Sequence, residues 1–203
     1  DGSTLNNFMP DYTALLNISG NIKEITIKNN IFKDTWVDGD YVLTSPNTGN
    51  ILADSNSKYP DDSFTALSKL IANGTVINLT HNYKFYWIYD SEFKEGIIIG
   101  DNVVINGNGN TIDGFNLARV FNVTGNNVTI KNINFINTNS GRYGGAIYWD
   151  GADGVVSGCS FVNCSSGYGG AIYFNNGGSV SGCSFVNCYS RGMDGDEGVS
   201  GAI

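Results

Sequence analysis

The feature that most constrains this chain is a repeat of about 25 residues that grows clearer toward its later half. The tetrapeptide Gly-Gly-Ala-Ile begins at Gly144 and again at Gly169, and Gly201-Ala202-Ile203 is a partial third copy. A phenylalanine recurs in step at Phe135, Phe161 and Phe185. Between these marks lie short runs that alternate apolar and polar residues, such as Val128-Thr129-Ile130 and Ile133-Asn134-Phe135. Period two means strands. No helical stretch separates them, so a βαβ repeat is excluded. The expected fold is all-β: a parallel β-solenoid in which each repeat is one rung. A β-sandwich would require the similarity to be a coincidence.

Stacked rungs turn every repeated position into a column at strand spacing. Phe135, Phe161 and Phe185 are expected to form one inward column, and Ile147, Ile172 and Ile203 another. Asn137, Asn163 and Asn187 are expected to form a third, with each amide bonding the next. Weaker rungs extend upstream through 102–114 and 119–125. Residues 61–203 are therefore assigned to the solenoid. At 62–73, Phe64, Leu67, Leu70 and Ile71 fall at helical spacing, with Asp62 or Ser63 as N-cap and Gly74 as stop. This short helix is expected to cover the open end of the coil. Strand-like TVINL and YKFYWIY follow it. Residues 1–60 form a separate β-rich segment. Its stretch 24–35 resembles 127–138, as an extra rung or as a donor strand. Asn187 to Gly201 reads as an inserted loop.

Charge narrows the function. The formal net charge is −8 with only 11 Lys+Arg. Phosphate neutralisation needs a basic stripe, so nucleic acid is not an expected partner, and anionic membranes are equally ill matched. No apolar run approaches a transmembrane span. If the protein is secreted, its signal and any anchor are expected to lie outside this chain.

Catalysis needs converging carboxylates, or carboxylates with a cation, on one face. Asp113, Asp150 and Asp153 sit in turns and do not recur in register. Neither do Arg119, Arg142 and Arg191. The single His81 lies in the cap region, without a serine–aspartate partner pattern. Asp194, Asp196 and Glu197 lack the remaining ligands of a calcium loop. No catalytic residue, metal or cofactor is assigned.

Four cysteines form two Cys-x4-Cys pairs at equivalent rung positions, Cys159/Cys164 and Cys183/Cys188. Stacking brings Cys159 near Cys183 and Cys164 near Cys188, within disulfide range. They are read as a reduced column of small core residues or as rung-to-rung disulfides; zinc would want tighter spacing or histidine. Sequons at Asn17, Asn73, Asn78, Asn122 and Asn127 are glycosylation candidates. Asn163, within the amide column, is set aside. If Ile147 and Ile172 point inward, alternation sends Tyr148 and Tyr173 outward, with Tyr143 and Tyr168 stacked just before the glycines. Tyrosine joins a flat apolar face to a hydroxyl, which suits sugar or protein surfaces. The alternative reading is that the rings shield the sheet backbone or pack on a neighbouring loop, and the pattern leaves both readings open.

These motifs carry a family resemblance. Repeated GGAI with an upstream F-x-N resembles the repeats of chlamydial polymorphic membrane proteins, although Thr138, Cys164 and Cys188 stand where that motif has asparagine. The order of amphipathic helix, GTVINLTHNYKF, INGNGNTIDG and repeated NCSF and GGAIY is similar to adhesin-like surface proteins of methanogenic archaea. The resemblance covers 62–203. It implies a right-handed parallel β-helix, an extracellular location and adhesion to a cell-surface glycan or protein. Two other expectations stand beside it: a structural subunit that self-associates into a filament or sheath by strand addition, and a polysaccharide-active β-helix enzyme.

Overall fold

The computed structural model describes residues 59–192 and 201–203, and the backbone of four short strands before them. The chain divides into two compact units, 1–61 and 62–203.

The second unit is a parallel β-solenoid with three faces. The first face stacks Val76–Asn78, Val104–Asn106, Thr129–Lys131, Gly154–Ser157 and Gly178–Ser181. The second stacks Tyr83–Lys84, Thr111–Asp113, Asn134–Ile136, Ser160–Val162 and Ser184–Val186. The third stacks Glu95–Ile99, Arg119–Val123, Ile147–Trp149 and Ile172–Phe174. Every pairing is parallel and equivalent residues oppose one another, as in Phe135↔Phe161↔Phe185.

Alternation decides what is buried. Ile130, Ile133, Phe135, Ile147 and Phe161 are fully buried, while Thr129, Asn134 and Tyr148 between them are part-exposed. The phenylalanine column is a true stack: Phe135 and Phe161 lie 4.9 Å apart at 8°, Phe161 and Phe185 4.9 Å apart at 4°. Each buried ring is worth about 1.5–3 kcal/mol of apolar transfer. Ile147 pairs with Ile172 as expected. The third member differs: Ala171 and Ile172 donate their N–H groups to the Ala202 carbonyl, continuing the pattern, and Ile203 is exposed.

The two glycines of GGAI have separate causes. Gly144 and Gly169 are left-handed (φ 53° and 59°). A Cβ on Gly145 would collide with the Gly170 carbonyl of the next rung, so that glycine permits close stacking. Asparagine, about as common here as the 27 glycines, serves the remaining corners. Asn137, Asn163 and Asn187 are left-handed at φ 48°, 55° and 52°. Their amides do bond in series, Asn163 Nδ2 to Asn137 Oδ1 at 3.2 Å and Asn187 Nδ2 to Asn163 Oδ1 at 3.3 Å. The column is not inward, however. Asn163 and Asn187 are exposed, because the left-handed turn swings them out and sends Thr138 and Cys164 inside.

The helix is shorter than its periodicity predicts. It spans Phe64–Ser68, with the Ser63 hydroxyl accepting from the Ala66 N–H. Leu70 and Ile71 then donate to carbonyls three residues back, and Leu70 is exposed. Phe64 and Leu67 join the solenoid core, and Phe64 meets Phe85 edge-on at 5.5 Å. Buried Asp90 fixes this end. Its carboxylate accepts from the N–H groups of Phe64, Thr65 and Tyr86 and from the Thr65 hydroxyl. That tie folds YKFYWIY into a turn after the two-residue strand Tyr83–Lys84.

In the first unit, Leu16–Ile18 pairs with Val42–Thr44 and Glu24–Thr26 with Asn50–Leu52, both parallel. Each pair joins residues 26 positions apart, a rung length in the second unit. Asn17 lies in the first of these strands; its side chain is outside the described residues. So are Asp194, Asp196 and Glu197 of the inserted loop.

Candidate binding site

The outward row of the third face runs Ile98, Asn122, Tyr148, Tyr173. Ile147 and Trp149 face inward on either side of Tyr148, so strand alternation alone presents this ring. Tyr143 and Tyr168 pair across neighbouring rungs at the corner that leads into Gly144 and Gly169. The left-handed glycine folds each corner tyrosine back toward the row.

The four rings therefore form one patch rather than two columns. Tyr148 and Tyr173 stack 6.0 Å apart at 9°. Tyr143 lies 5.7 Å from Tyr168, 4.6 Å from Tyr173 and 6.0 Å from Tyr148. All four keep part of their surface in solvent. The Arg142 guanidinium lies 5.0 Å from the centre of the Tyr143 ring and is itself exposed.

Arg119 underpins the patch. It is 6% exposed, and its guanidinium lies 5.5 Å from the Tyr148 ring centre. It donates to the backbone carbonyls of Glu95, Tyr143 and Gly144, at 2.8, 2.7 and 3.0 Å. These bonds tie three successive rungs at the corner that carries Tyr143. The ion pair to Glu95 is long (3.6 Å) and its carboxylate is mostly exposed, so it adds little beside three charge-assisted bonds. Burial pushes the Arg119 pKa down, opposed by Glu95 and Tyr148; a guanidinium starts so high that it stays charged at neutral pH. Burial, then Asp150 and the other phenols, push the Tyr148 pKa up. Its hydroxyl is therefore neutral and able to donate.

Beside the patch lies a hollow of about 240 Å³, lined by residues that include Lys94, Glu95, Asn116 and Ser140. Ser140 donates to the Tyr143 carbonyl at 2.7 Å, and Glu95 meets Arg119, so the hollow and the rings share a frame. A larger hollow of about 530 Å³, lined by Gly154, Gly178, Asn176 and their neighbours, presents no aromatic ring.

The other candidates are dispersed. Asp113 accepts from the Phe115 N–H in its own turn and from the Asn137 amide one rung on, and Asp150 accepts from the Asn175 amide one rung on. His81 is exposed and packs on Tyr83 at 4.5 Å. Among the described residues, no three His, Cys, Asp or Glu side chains gather as a metal site would require. Nor is any helix there long and apolar enough to cross a membrane. All four cysteines are free thiols, with Cys159 and Cys164 buried and Cys183 and Cys188 half-buried. Asn73 and Asn78 are exposed. Asn127 is exposed but donates its amide to Asn102 at 2.9 Å, and Asn122 is half-buried in the tyrosine row.

Sequence reasoning passed over Arg119 because it does not recur in register. Its partners are backbone carbonyls, which leave no side-chain signature. The row Ile98–Asn122–Tyr148–Tyr173 was available once the strands were aligned, since all four stand one residue after a buried position.

No protein-family model, curated protein or solved structure matches the chain.

Proposed function

We propose that this protein is an extracellular, adhesin-like β-solenoid module that holds a cell-surface glycan or protein on its tyrosine patch without transforming it. The observation that carries the reading is the convergence of Tyr143, Tyr148, Tyr168 and Tyr173 on one part-exposed surface. Flat rings side by side offer a stacking platform for sugar rings or apolar side chains, and their hydroxyls offer hydrogen bonds at its edge. Arg142 adds a cation at the rim. The solenoid contributes rigidity: side chains held by strand register and by Arg119 lose little freedom on binding.

Binding of the purified protein to glycan arrays and to isolated cell envelopes tests the reading. The double variant Tyr148→Ala/Tyr173→Ala is expected to lose at least about tenfold in affinity while melting near the parent temperature. Undiminished binding by a folded double variant would move the site elsewhere on the molecule.

A further inference from the structure

The connections from the second face to the third hold a pair of arginines in register. Ser165 and Ser166 pair with Tyr189 and Ser190, and the Gly192 N–H donates to the Gly167 carbonyl at 3.1 Å, so Arg191 lies opposite Gly167. Tyr143 pairs with Tyr168, and the Tyr168 N–H donates to the Arg142 carbonyl at 2.7 Å, so Arg142 lies opposite Gly167 from the other side. The two arginines therefore share one rung position, two rungs apart. This corrects the expectation that they do not recur in register; a glycine in the middle rung hides the recurrence. Both side chains are exposed, and each guanidinium lies over a tyrosine of its own rung. Arg142 is 5.0 Å from the Tyr143 ring centre and Arg191 5.6 Å from that of Tyr189, whose hydroxyl accepts from Arg191 at 3.2 Å. The rung between them exposes Tyr168. Among the described residues, no carboxylate comes within ion-pair distance of either guanidinium. No Asp or Glu occurs in 138–145, 164–170 or 188–192, in a chain whose net charge is −8.

We propose that this corner recognises an acidic polysaccharide laid across the rungs, with sugar rings on Tyr143, Tyr168 and Tyr189 and uronic-acid carboxylates on Arg142 and Arg191. The proposal rests on the reading of the tyrosine patch as a binding surface and narrows its ligand to a uronate-bearing glycan. Held against a ring, a guanidinium loses little further freedom on binding, and its planar fork matches a carboxylate through two parallel bonds. The tyrosine faces take the apolar faces of the sugars. Strand spacing puts the two arginine positions roughly 10 Å apart along the coil axis. An extended glycan advances by about one strand spacing per sugar, so consecutive rungs meet consecutive sugars and the arginines meet every second one. A carboxylate on alternate sugars fits that period. The net negative charge of the chain repels a polyanion at long range, so affinity has to arise where positive charge is local and unopposed. This corner supplies it.

The test titrates the full chain calorimetrically with two probes. One is a hyaluronan decasaccharide, in which uronic acid alternates with a neutral sugar; the other is the same decasaccharide with its carboxyl groups reduced to alcohols. The acidic probe is expected to bind at least about tenfold more tightly than the neutral one, with the preference shrinking as salt is raised. Arg142→Gln/Arg191→Gln should remove the preference while melting near the parent temperature, since both side chains are exposed. Lys131→Gln, on the first face, should leave the preference intact. Equal binding of the two probes would overturn the proposal, and so would binding of neither. A loss from Lys131→Gln as large as that from the arginine pair would also overturn it, by showing diffuse attraction instead of a site. Failure of the tyrosine platform reads differently: a folded Tyr148→Ala/Tyr173→Ala variant would then bind both probes as the parent does.

Discussion

The phenylalanine column inside the coil and the tyrosine patch outside it are built by the same operation, yet they do opposite things. Both repeat one aromatic residue at rung spacing. Phe135, Phe161 and Phe185 lie nearly parallel, with interplanar angles of 8° and 4°, because packed neighbours leave each ring one place to go. Around Tyr143 the angles open to 27°, 34° and 38°, and the rings fan across solvent. An inward column spends its surface on its own rungs. An outward one leaves that surface available to something else. Chain direction at a single residue selects between the two.

The contrast is broken most severely from inside. Phe161→Ala removes the middle ring of the stack and should cost about 3–5 kcal/mol, lowering the melting temperature by about 10–15 °C. Tyr148→Ala should cost about 1 kcal/mol or less, since its ring keeps part of its surface in water. Equal losses at the two positions, measured by thermal melts followed by circular dichroism, would erase the distinction.

Arg119 joins the two regions. Arg119→Met keeps the aliphatic stem but leaves the carbonyls of Glu95, Tyr143 and Gly144 without their donor. The expected loss is about 2–3 kcal/mol by denaturant titration, with weaker binding as Tyr143 is freed. Arg119→Lys should recover only part of both, since one ammonium cannot reproduce the fork.

Alkali sharpens the comparison on the interior side. The Cys159 thiol is protonated in both states below its ordinary value of 9.0, but burial raises the folded value to about 11. Its contribution to stability is full below about pH 9 and lost as the pH rises through 11, by about 3 kcal/mol. Cys159→Ala should flatten that limb of the stability–pH curve relative to the parent.

A smaller effect than at Arg119 is expected at the corner. Asn163→Ala removes two amide bonds and places a Cβ without a local hydrogen bond at φ 55°, for about 1–2 kcal/mol. Asn163→Gly should cost about half as much, because the backbone conformation is then unstrained. Equal losses for glycine and alanine would mean that the amide bonds, not the left-handed turn, hold the corner.

Much of this fold could be read before any coordinates, because a repeat states its own register. The recurrence of Phe135 at Phe161 and of Gly144 at Gly169 gave the rungs and their stacking. What the repeat does not state is the side on which a residue lies. The asparagine column was expected inside and runs outside, since a left-handed residue leaves the alternation that sorts its neighbours. The helix ends at Ser68, after which Leu70 and Ile71 bond three residues back, and its first turn is tied to Tyr86 by Asp90, far along the chain. No local pattern announces that contact. The tyrosines were legible individually; their union was not, because it depends on corners turned by Gly144 and Gly169.

Ring-proton nuclear Overhauser effects in a sample labelled only at phenylalanine probe the rung stacking most directly. Strong contacts should join Phe135 to Phe161 and Phe161 to Phe185, with none between Phe135 and Phe185, which lie two rungs apart. Missing contacts between consecutive rings, or a direct one between the first and the last, would contradict the coil on which the placement of every tyrosine and cysteine here depends.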